Sequence, residues 1–203
     1  MAERPDTWER ARRTWATAAS ELARLERTVG REAFERLVKL LGDCRGRIAV
    51  AGVGTSGAAA RKIAHSLCCI ERPAFFLSPA DAVHGGLGAV QPGDVAILIS
   101  KGGGSTEILG MVPSLKTKKV SIVAVTENEG SPLAHAADLL LRVGVEREAD
   151  EFNMLATTST MAVVAAFDAA CIALMAYTGY TREQFSVIHP SGAVGERLLS
   201  GKE

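Results

Sequence analysis

The chain has 203 residues, of which 47% are hydrophobic and 23% charged, a balance typical of a folded globular protein rather than a disordered one. Its 23 basic and 23 acidic residues cancel, so there is no overall positive field to attract nucleic acid or acidic lipid. We therefore expect no nucleic-acid partner and no membrane partner, and any small anion must be held by local geometry.

The N-terminal segment, residues 6–29, predicts one long helix. Its apolar residues recur at spacings of three and four, as in a heptad seam; they are Trp8, Ala11, Trp15, Ala18, Leu22, Leu25 and Val29. So narrow a seam packs against another helix, either in its own domain or on another subunit. Because the segment lies outside the α/β pattern that follows, we favour the second. With a short predicted helix at 31–41, it forms an N-terminal helical arm over residues 1–45.

Downstream of the arm, short apolar runs alternate with helical patterns. The predicted strands are residues 47–51, 73–77, 94–100, 119–125 and 138–143. This alternation predicts a parallel sheet with helices on both faces, which is a three-layer αβα sandwich of the α/β class. Five strands and right-handed crossovers favour the flavodoxin-like order 2-1-3-4-5. We predict a single α/β domain over residues 46–203.

Residues 161–177 form an apolar run with Asp168 at its centre. The run is slightly short for a membrane span, which needs about 20 apolar residues. Its many small side chains favour a helix buried between the sheet and a partner subunit. The four cysteines have no metal or redox spacing and no apolar leader precedes them, so we expect free thiols in the cytoplasm.

Two glycine-rich loops follow the first and third predicted strands. They are Gly-Val-Gly-Thr-Ser-Gly at 52–57 and Ser-Lys-Gly-Gly-Gly-Ser-Thr-Glu at 100–107. In the predicted order these strands meet at the topological switch point, where ligands bind beyond the carboxyl ends of the strands. Each loop opens a helix, whose unpaired N–H groups and positive dipole end suit an anion. The first loop also fits a dinucleotide fingerprint, but the acidic residue expected after the second strand is missing, which leaves NAD a minor hypothesis.

Five motifs in chain order resemble those of a sugar isomerase (SIS) domain. They are the two glycine loops, Pro-Ala-Phe-Phe-Leu-Ser-Pro-Ala-Asp-Ala-Val-His-Gly-Gly-Leu-Gly at 73–88, Leu-Ala-Thr-Thr-Ser-Thr at 155–160 and Phe-Ser-Val-Ile-His-Pro-Ser-Gly at 185–192. The last two narrow the resemblance to the KpsF/GutQ-type arabinose-5-phosphate isomerases, over residues 47–199. Many members carry a regulatory CBS pair after this domain. Because the sequence ends at Glu203, we expect a protein without that pair.

The resemblance implies aldose–ketose isomerisation of a phosphosugar through an enediol, with no cofactor required. That chemistry needs a phosphate anchor, a base for the proton on the carbon next to the carbonyl, and a proton carrier between the two oxygens. The matching motifs, with the residues beside them, predict the substrate- and phosphate-binding set Gly54, Thr55, Ser56, Ser100, Lys101, Gly103, Ser105, Thr106 and Thr157.

For catalysis the resemblance points to Glu148 as the enediol base and to His189 as the ring-opening or proton-shuttle residue. Glu107 matches the acidic residue that closes the second loop. A carboxylate in a partly dry pocket has its pKa raised toward neutrality, and we expect this of Glu148.

Alternatives to these roles stay open. Residues 146–151 are a charged run typical of a solvated loop, in which Asp150 or Glu151 is a rival to the assigned base. His189 also fits a histidine that caps a turn. His84 matches a histidine that contacts a divalent metal in some relatives, but no second ligand accompanies it at metal spacing, so a connector histidine is an equal reading.

The chain departs from the family pattern inside both loops. Thr55 stands where lysine is usual, and Gly102 and Gly104 replace a hydroxyl and a carboxylate, while Lys101 adds a positive charge nearby. These changes leave the exact sugar open. A non-catalytic sugar-phosphate sensor and a phosphosugar enzyme of another reaction type are the alternative functions. The apolar surfaces of the N-terminal helix and of helix 157–177 predict a homo-oligomer, a dimer or homotetramer, and the resemblance implies tetramers in which a neighbouring subunit completes the site.

Overall fold

The computed structural model describes residues 6–191, and its centre is a five-stranded, all-parallel sheet. The strands are β1 (Ile48–Gly52), β2 (Ala74–Phe76), β3 (Val95–Ile99), β4 (Ser121–Thr126) and β5 (Leu139–Arg142). They lie side by side in the order β2-β1-β3-β4-β5. The predicted αβα sandwich and its flavodoxin-like strand order are therefore confirmed.

The sheet is apolar on both faces, which is why its central strands are continuous hydrophobic runs. Every residue of β1 and of β3 is buried. Successive side chains point to opposite faces: Ile48 and Val50 join one core cluster, whereas Ala49 and Ala51 join the other. Each cluster needs its own layer of helices to exclude water.

The helices divide between the two faces of the sheet. One face carries α1 (Thr7–Thr28), α2 (Arg31–Asp43), α3 (Thr55–Cys68) and α7 (Thr158–Thr178). The other carries α4 (Pro79–Ala82), a 3-10 turn at Gly86–Ala89, α5 (Thr106–Thr117) and α6 (Pro132–Ala136). A last helix, α8 (Arg182–Ile188), follows α7. Because the strands are parallel, α3, α5 and α7 all begin at the carboxyl edge of the sheet.

The heptad seam of α1 is divided between two environments. Its C-terminal half, with Leu22, Leu25 and Val29, packs against the core of the same chain. Its N-terminal half leaves Trp8 64% and Trp15 57% exposed, with their rings edge-to-face at 5.5 Å. The within-domain alternative therefore holds for the C-terminal half, whereas the division into an arm at 1–45 and a domain at 46–203 stays a prediction.

Among the described residues, α7 is the one helix whose length and apolar composition would let it cross a membrane. In the fold it packs against α1, α2 and α3. A core helix has the same composition. The run was predicted to lie between the sheet and a partner subunit; its contacts within the chain agree with the first half of that prediction, and the partner side stays a prediction.

Three local features differ from the sequence predictions. Helix α3 begins at Thr55, three residues before the predicted start at Ala58, because a glycine at the end of a loop does not prevent a helix from starting there. The connector after β2 forms α4, whose Ser78 cap and Pro79 are favoured at a helix start. Helix α8, which was not predicted from the sequence, begins with a Thr181–Gln184 capping box. Residues 192–203, including Gly192 of the fifth motif, lie outside the described part of the chain.

Candidate active site at the carboxyl edge of the sheet

The two glycine loops meet at the carboxyl edge of the sheet. Strands β1 and β3 pair in parallel and end together, with Gly52 opposite Ile99. The predicted switch point thus lies between the loop that opens α3 and the loop that opens α5. A small cavity of about 50 Å³ lies here, and its polar lining comprises Thr55, Ser56, Lys101, Thr126, Ser159 and Thr160.

Glycines bring the start of α3 close to the end of β1. A Cβ on Gly52 would lie 2.5 Å from the carbonyl oxygen of Ser56, and Gly54 has a φ of 58°, which favours glycine. Thr55 and Ser56 therefore occupy the first turn of α3, where N–H groups have no intrahelical acceptor. Both side chains line the cavity, as expected for substrate-binding residues.

The second loop is held in place by its own hydrogen bonds. Ser100 is buried at the end of β3, and its hydroxyl lies 2.9 Å from that of Ser105, the N-cap of α5. The carbonyl oxygen of Lys101 accepts hydrogen bonds from Thr126 Oγ1 at 2.7 Å and from the N–H of Glu127 at 3.0 Å. The backbone of the loop is thus fixed to the end of β4.

The predicted phosphate positions of this loop differ in exposure. Thr106 and Glu107 are exposed in the first turn of α5, whereas Gly103 is buried with a φ of 69°. Gly102 and Gly104, by contrast, have no neighbouring atom within 4 Å of a built Cβ. The glycine at 103 is required by the fold, whereas those at 102 and 104 leave open space beside the loop.

Within the charged run at 146–151, Glu148 is the acidic residue whose side chain is buried. Its side chain is fully buried, whereas those of Glu146 and Glu151 are 68% and 67% exposed and pair with Arg24 and Arg10. The carboxylate of Asp150 accepts N–H bonds from residues 152, 154 and 155 and so shapes the loop. Geometry therefore separates Glu148 from its rivals in the same run.

The two oxygens of Glu148 have different partners. Oε2 accepts hydrogen bonds from the start of α7: the N–H of Thr157 at 3.0 Å, its hydroxyl at 3.2 Å and the N–H of Ser159 at 3.1 Å. The hydroxyl of Thr158 lies 3.0 Å from the same oxygen but donates to the carbonyl oxygen of Arg147 at 2.5 Å. Oε1 accepts from Lys101 Nζ at 2.7 Å. Lys101 and Ser159 both line the cavity, so Glu148 lies directly behind its wall.

The pKa of Glu148 departs from expectation. Burial acts to raise this pKa, but the hydrogen bonds from Lys101, Ser159 and Thr157 outweigh it and hold the pKa well below its usual range. The prediction of a pKa raised toward neutrality is therefore wrong for the protein as described. Hydrogen bonds donated to a carboxylate favour its charged form, and the donors around Glu148 are enough to offset its burial.

Several residues that hold Glu148 were not predicted, or were predicted for another role. The hydroxyl of Thr157, expected to bind substrate, accepts from the N–H of Ala149 at 3.0 Å and donates to Glu148. Asn153 Oδ1 accepts the N–H of Glu148 at 2.6 Å. Hydroxyl residues are typical of helix N-termini, and their cluster at the start of the long apolar helix was the sequence signal from which these contacts could have been predicted.

His189 lies far from Glu148 within one chain. Helix α7 begins beside Glu148 and runs for 21 residues, about 30 Å at the rise of an α-helix, before α8 begins. Helix α8 lies near the far end of α3, where Gln184 Nε2 donates to Glu71 Oε2 at 3.2 Å. The His189 ring stacks on Phe185 at 3.9 Å between centroids. A site that uses both Glu148 and His189 therefore cannot form within a single chain.

His84 is exposed in the turn that follows α4. Within residues 6–191, no group of three or more His, Cys, Asp and Glu side chains is arranged to bind a metal ion. The residues present thus do not fit a metal centre built by one chain, and the metal at His84 stays a prediction from the resemblance.

Similarity to known proteins covers most of the chain. Residues 40–173 match the family model for the SIS domain. The arabinose 5-phosphate isomerase GutQ of Salmonella typhi is 38% identical over 189 residues, which are 93% of this chain and 59% of that protein. The chain thus spans about three fifths of the length of the curated relatives it matches.

Two solved structures share the fold closely. A putative sugar-phosphate isomerase from Listeria monocytogenes has a TM-score of 0.91 and 49% identity, covering 94% of this chain and 100% of that one. A protein of E. coli CFT073 in complex with A5P has a TM-score of 0.88 and 32% identity, covering 93% of this chain and 100% of that one.

Proposed function

Because the chain belongs to the SIS domain family, we propose that it is a phosphosugar isomerase that interconverts an aldose and a ketose. Arabinose 5-phosphate is the first candidate substrate, since the matched relatives include arabinose 5-phosphate isomerases and a protein solved with A5P. The observation that carries the proposal is Glu148, a fully buried carboxylate behind the cavity at the switch point.

The proposed mechanism begins with capture of the phosphate between the N-termini of α3 and α5. Ser56, Ser105 and Thr106 offer hydroxyls there, and the first-turn N–H groups of both helices lack intrahelical acceptors. This geometry supports anion binding without a large net charge. Glu107 sits in the same turn of α5 as an exposed carboxylate, where it is suited to contact sugar hydroxyls rather than phosphate.

Glu148 is the proposed base. It takes the proton from the carbon next to the carbonyl, and the electron pair moves to form the enediolate. A proton passes from the neighbouring hydroxyl oxygen to the former carbonyl oxygen, the shuttle step proposed for His189, and Glu148 returns its proton to the former carbonyl carbon. These steps transfer protons within one molecule, so we propose that no cofactor is required. Activity that survives dialysis against a chelator supports this, and activity restored only by an added divalent cation contradicts it.

The proposal includes an oligomer, because His189 can reach a Glu148 site only from another subunit. Exposed apolar side chains support such an assembly: Trp8 and Trp15 on α1, and Ile172, at 68% exposure, and Tyr177, at 48%, on α7. We propose a dimer or homotetramer in the cytoplasm. The assembly would cover these surfaces and bring the histidine of one subunit to the carboxylate of the next.

Solvent exchange tests the function directly. The protein is incubated in deuterated water with a panel of pentose and hexose phosphates, and NMR follows deuterium entering the carbon next to the carbonyl. We expect exchange with at least one phosphosugar, and a loss of about 10²–10⁴-fold in Glu148→Gln, as is usual for a missing general base. Glu146→Gln is the matched control, since that carboxylate lies on the same loop but is exposed.

Two outcomes would contradict the proposal. Phosphosugar binding by calorimetry without any exchange would indicate the sensor function, which the similarity to enzymes does not favour. Full activity in Glu148→Gln would remove this carboxylate from the base role.

A further inference from the structure

We infer that Lys101 is a substrate-released latch on Glu148: it pairs with the carboxylate in the free protein and transfers to an anionic oxygen of the bound phosphosugar. This inference rests on the proposed function and names the residue that controls the same site. It also assigns to Lys101 the role of the cation that the first loop lacks at Thr55.

The latch follows from the unequal bonding of the two Glu148 oxygens. Oε2 is anchored by three donors from the start of α7, whereas Lys101 Nζ is the one donor to Oε1 within the described residues. If Lys101 leaves, the carboxylate keeps its position through Oε2. Oε1 is then free to accept a proton from carbon.

The two partners also differ in mobility. The side chain of Glu148 is 0% exposed, whereas that of Lys101 is 42% exposed. The backbone of Lys101 is fixed through its carbonyl oxygen, so movement is confined to its flexible four-carbon side chain. Lys101 is therefore the partner that can swing, and Glu148 is the one that stays.

The small size of the cavity also supports movement of the Lys101 side chain. Its volume of about 50 Å³ is well below the about 300 Å³ at which ligand pockets typically begin. Lys101 lines this cavity together with Thr55 and Ser56. Movement of the lysine side chain toward a ligand would widen the space at the point where the sugar must meet Glu148.

The chemical consequence is a base that becomes available only with substrate. In the free protein the ammonium of Lys101 neutralises Glu148. In the complex it neutralises the negative oxygen of the substrate, including the enediolate oxygen that receives the electron pair when the C–H bond breaks and the Oε1–H bond forms. One cation thus serves first the base and then the reacting oxygens.

NMR titration of Glu148 tests the latch without relying on turnover. The protein is labelled with ¹³C at glutamate carboxyls, and Glu148→Gln identifies the signal. The pH titration is run on the protein without ligand, with inorganic phosphate and with 5-phosphoarabinonate, whose C1 carboxylate resembles an enediolate. We expect the pKa of Glu148 to rise with at least one ligand, and to rise further than in Lys101→Met, where the charge of the bound anion acts alone. An unchanged pKa when both ligands are bound overturns the inference.

Variants test the assignment of the cation. Lys101→Met should lower kcat by about 100-fold, as for loss of one transition-state donor, and should raise the acid-side pKa of the kcat/KM profile. When Thr55→Lys is added to Lys101→Met, kcat should be at least about tenfold higher than in Lys101→Met alone, since both side chains line one cavity. Lys116→Met, an exposed lysine at the other end of α5, is the matched control.

These experiments separate failure of the latch from failure of the proposed function. A wild-type protein that exchanges no phosphosugar refutes the isomerase proposal, while the NMR titration still decides the latch. A Lys101→Met protein with wild-type kcat and an unshifted pH profile overturns the latch and leaves the isomerase standing.

Discussion

Gly103 packs so closely against Ser131 that a Cβ on Gly103 would overlap the Ser131 hydroxyl. The carbonyl oxygen of Gly103 also accepts the N–H of Leu133 at 3.2 Å. This contact fixes the second glycine loop against the start of α6. It explains why one glycine of the Gly-Gly-Gly run is structural, whereas its neighbours at 102 and 104 face open space.

Replacing Gly103 with alanine should destabilise the fold by about 2–4 kcal/mol, because the side chain meets both an unfavourable positive φ and overlap with Ser131. Gly104→Ala is the matched control, since its Cβ has nothing within 4 Å, and we expect a change of at most about 1 kcal/mol. Urea unfolding measures both. Equal losses in the two variants would contradict the packing argument.

The pH dependence of stability should carry a contribution from Glu148. Its pKa is held below the ordinary value of 4.5 in the folded protein, so the unfolded chain takes up the proton first as the pH falls. The stabilisation is therefore complete above about pH 4.5 and declines below it. In Glu148→Gln the free energy of unfolding should fall less steeply from pH 5 to pH 3, whereas Glu146→Gln should follow the wild type. Chemical unfolding at each pH gives the slopes, and identical slopes in all three proteins would contradict the pKa direction.

The open positions of the second loop should control sugar preference. Restoring family residues with Gly102→Ser and Thr55→Lys meets no steric barrier at residue 102 and adds two donors beside the anion site. Hydrogen bonds to charged groups contribute about 1.5–3 kcal/mol, so kcat/KM for arabinose 5-phosphate should rise by about tenfold or more. Kinetics on the same phosphosugar panel measure the change. A lower kcat/KM for every sugar would show that the departures are not what sets the preference.

The sequence was sufficient for the strand order, whereas the place of the site stays a prediction. The two glycine loops follow strands that were predicted to be neighbours at the switch point, and the pairing of Gly52 with Ile99 confirms that these strands are neighbours. Helix starts were less predictable. Thr55 opens α3 because the glycines at 52 and 57 permit close approach of backbone segments, and that contact is visible only in three dimensions.

The chemistry of Glu148 could be predicted only in part. The motif pointed to the residue, but the direction of its pKa depends on four donors that the fold brings together, three of them from the start of α7 and one from Lys101 at the end of β3. The separation of His189 from Glu148 likewise depends on the direction in which α7 runs. Neither fact can be obtained from spacing along the chain.

Removing the exposed tryptophans should weaken the proposed oligomer. Trp8 and Trp15 contact each other on the exposed half of α1, so Trp8→Ala with Trp15→Ala removes apolar area while leaving the core contacts of Leu22 and Leu25 intact. We expect a smaller species by sedimentation velocity and an unchanged circular dichroism spectrum. Arg12→Ala, exposed on the same helix, serves as the control. An unchanged sedimentation coefficient in the double variant would exclude this surface from the assembly.

Mixing two inactive variants tests whether His189 serves the site of another subunit. Helix α7 places about 30 Å between Glu148 and the start of α8, so a site that uses Glu148 and His189 must draw them from different chains. Glu148→Gln and His189→Asn should each be inactive alone. After the two are unfolded and refolded together, statistical pairing in a symmetric dimer returns about a quarter of the sites with both residues intact, and deuterium exchange should recover to about that fraction of wild type. Refolding each variant alone is the control for the procedure. No recovery in a mixture whose mass spectrum contains mixed oligomers would show that His189 has no part in a shared site.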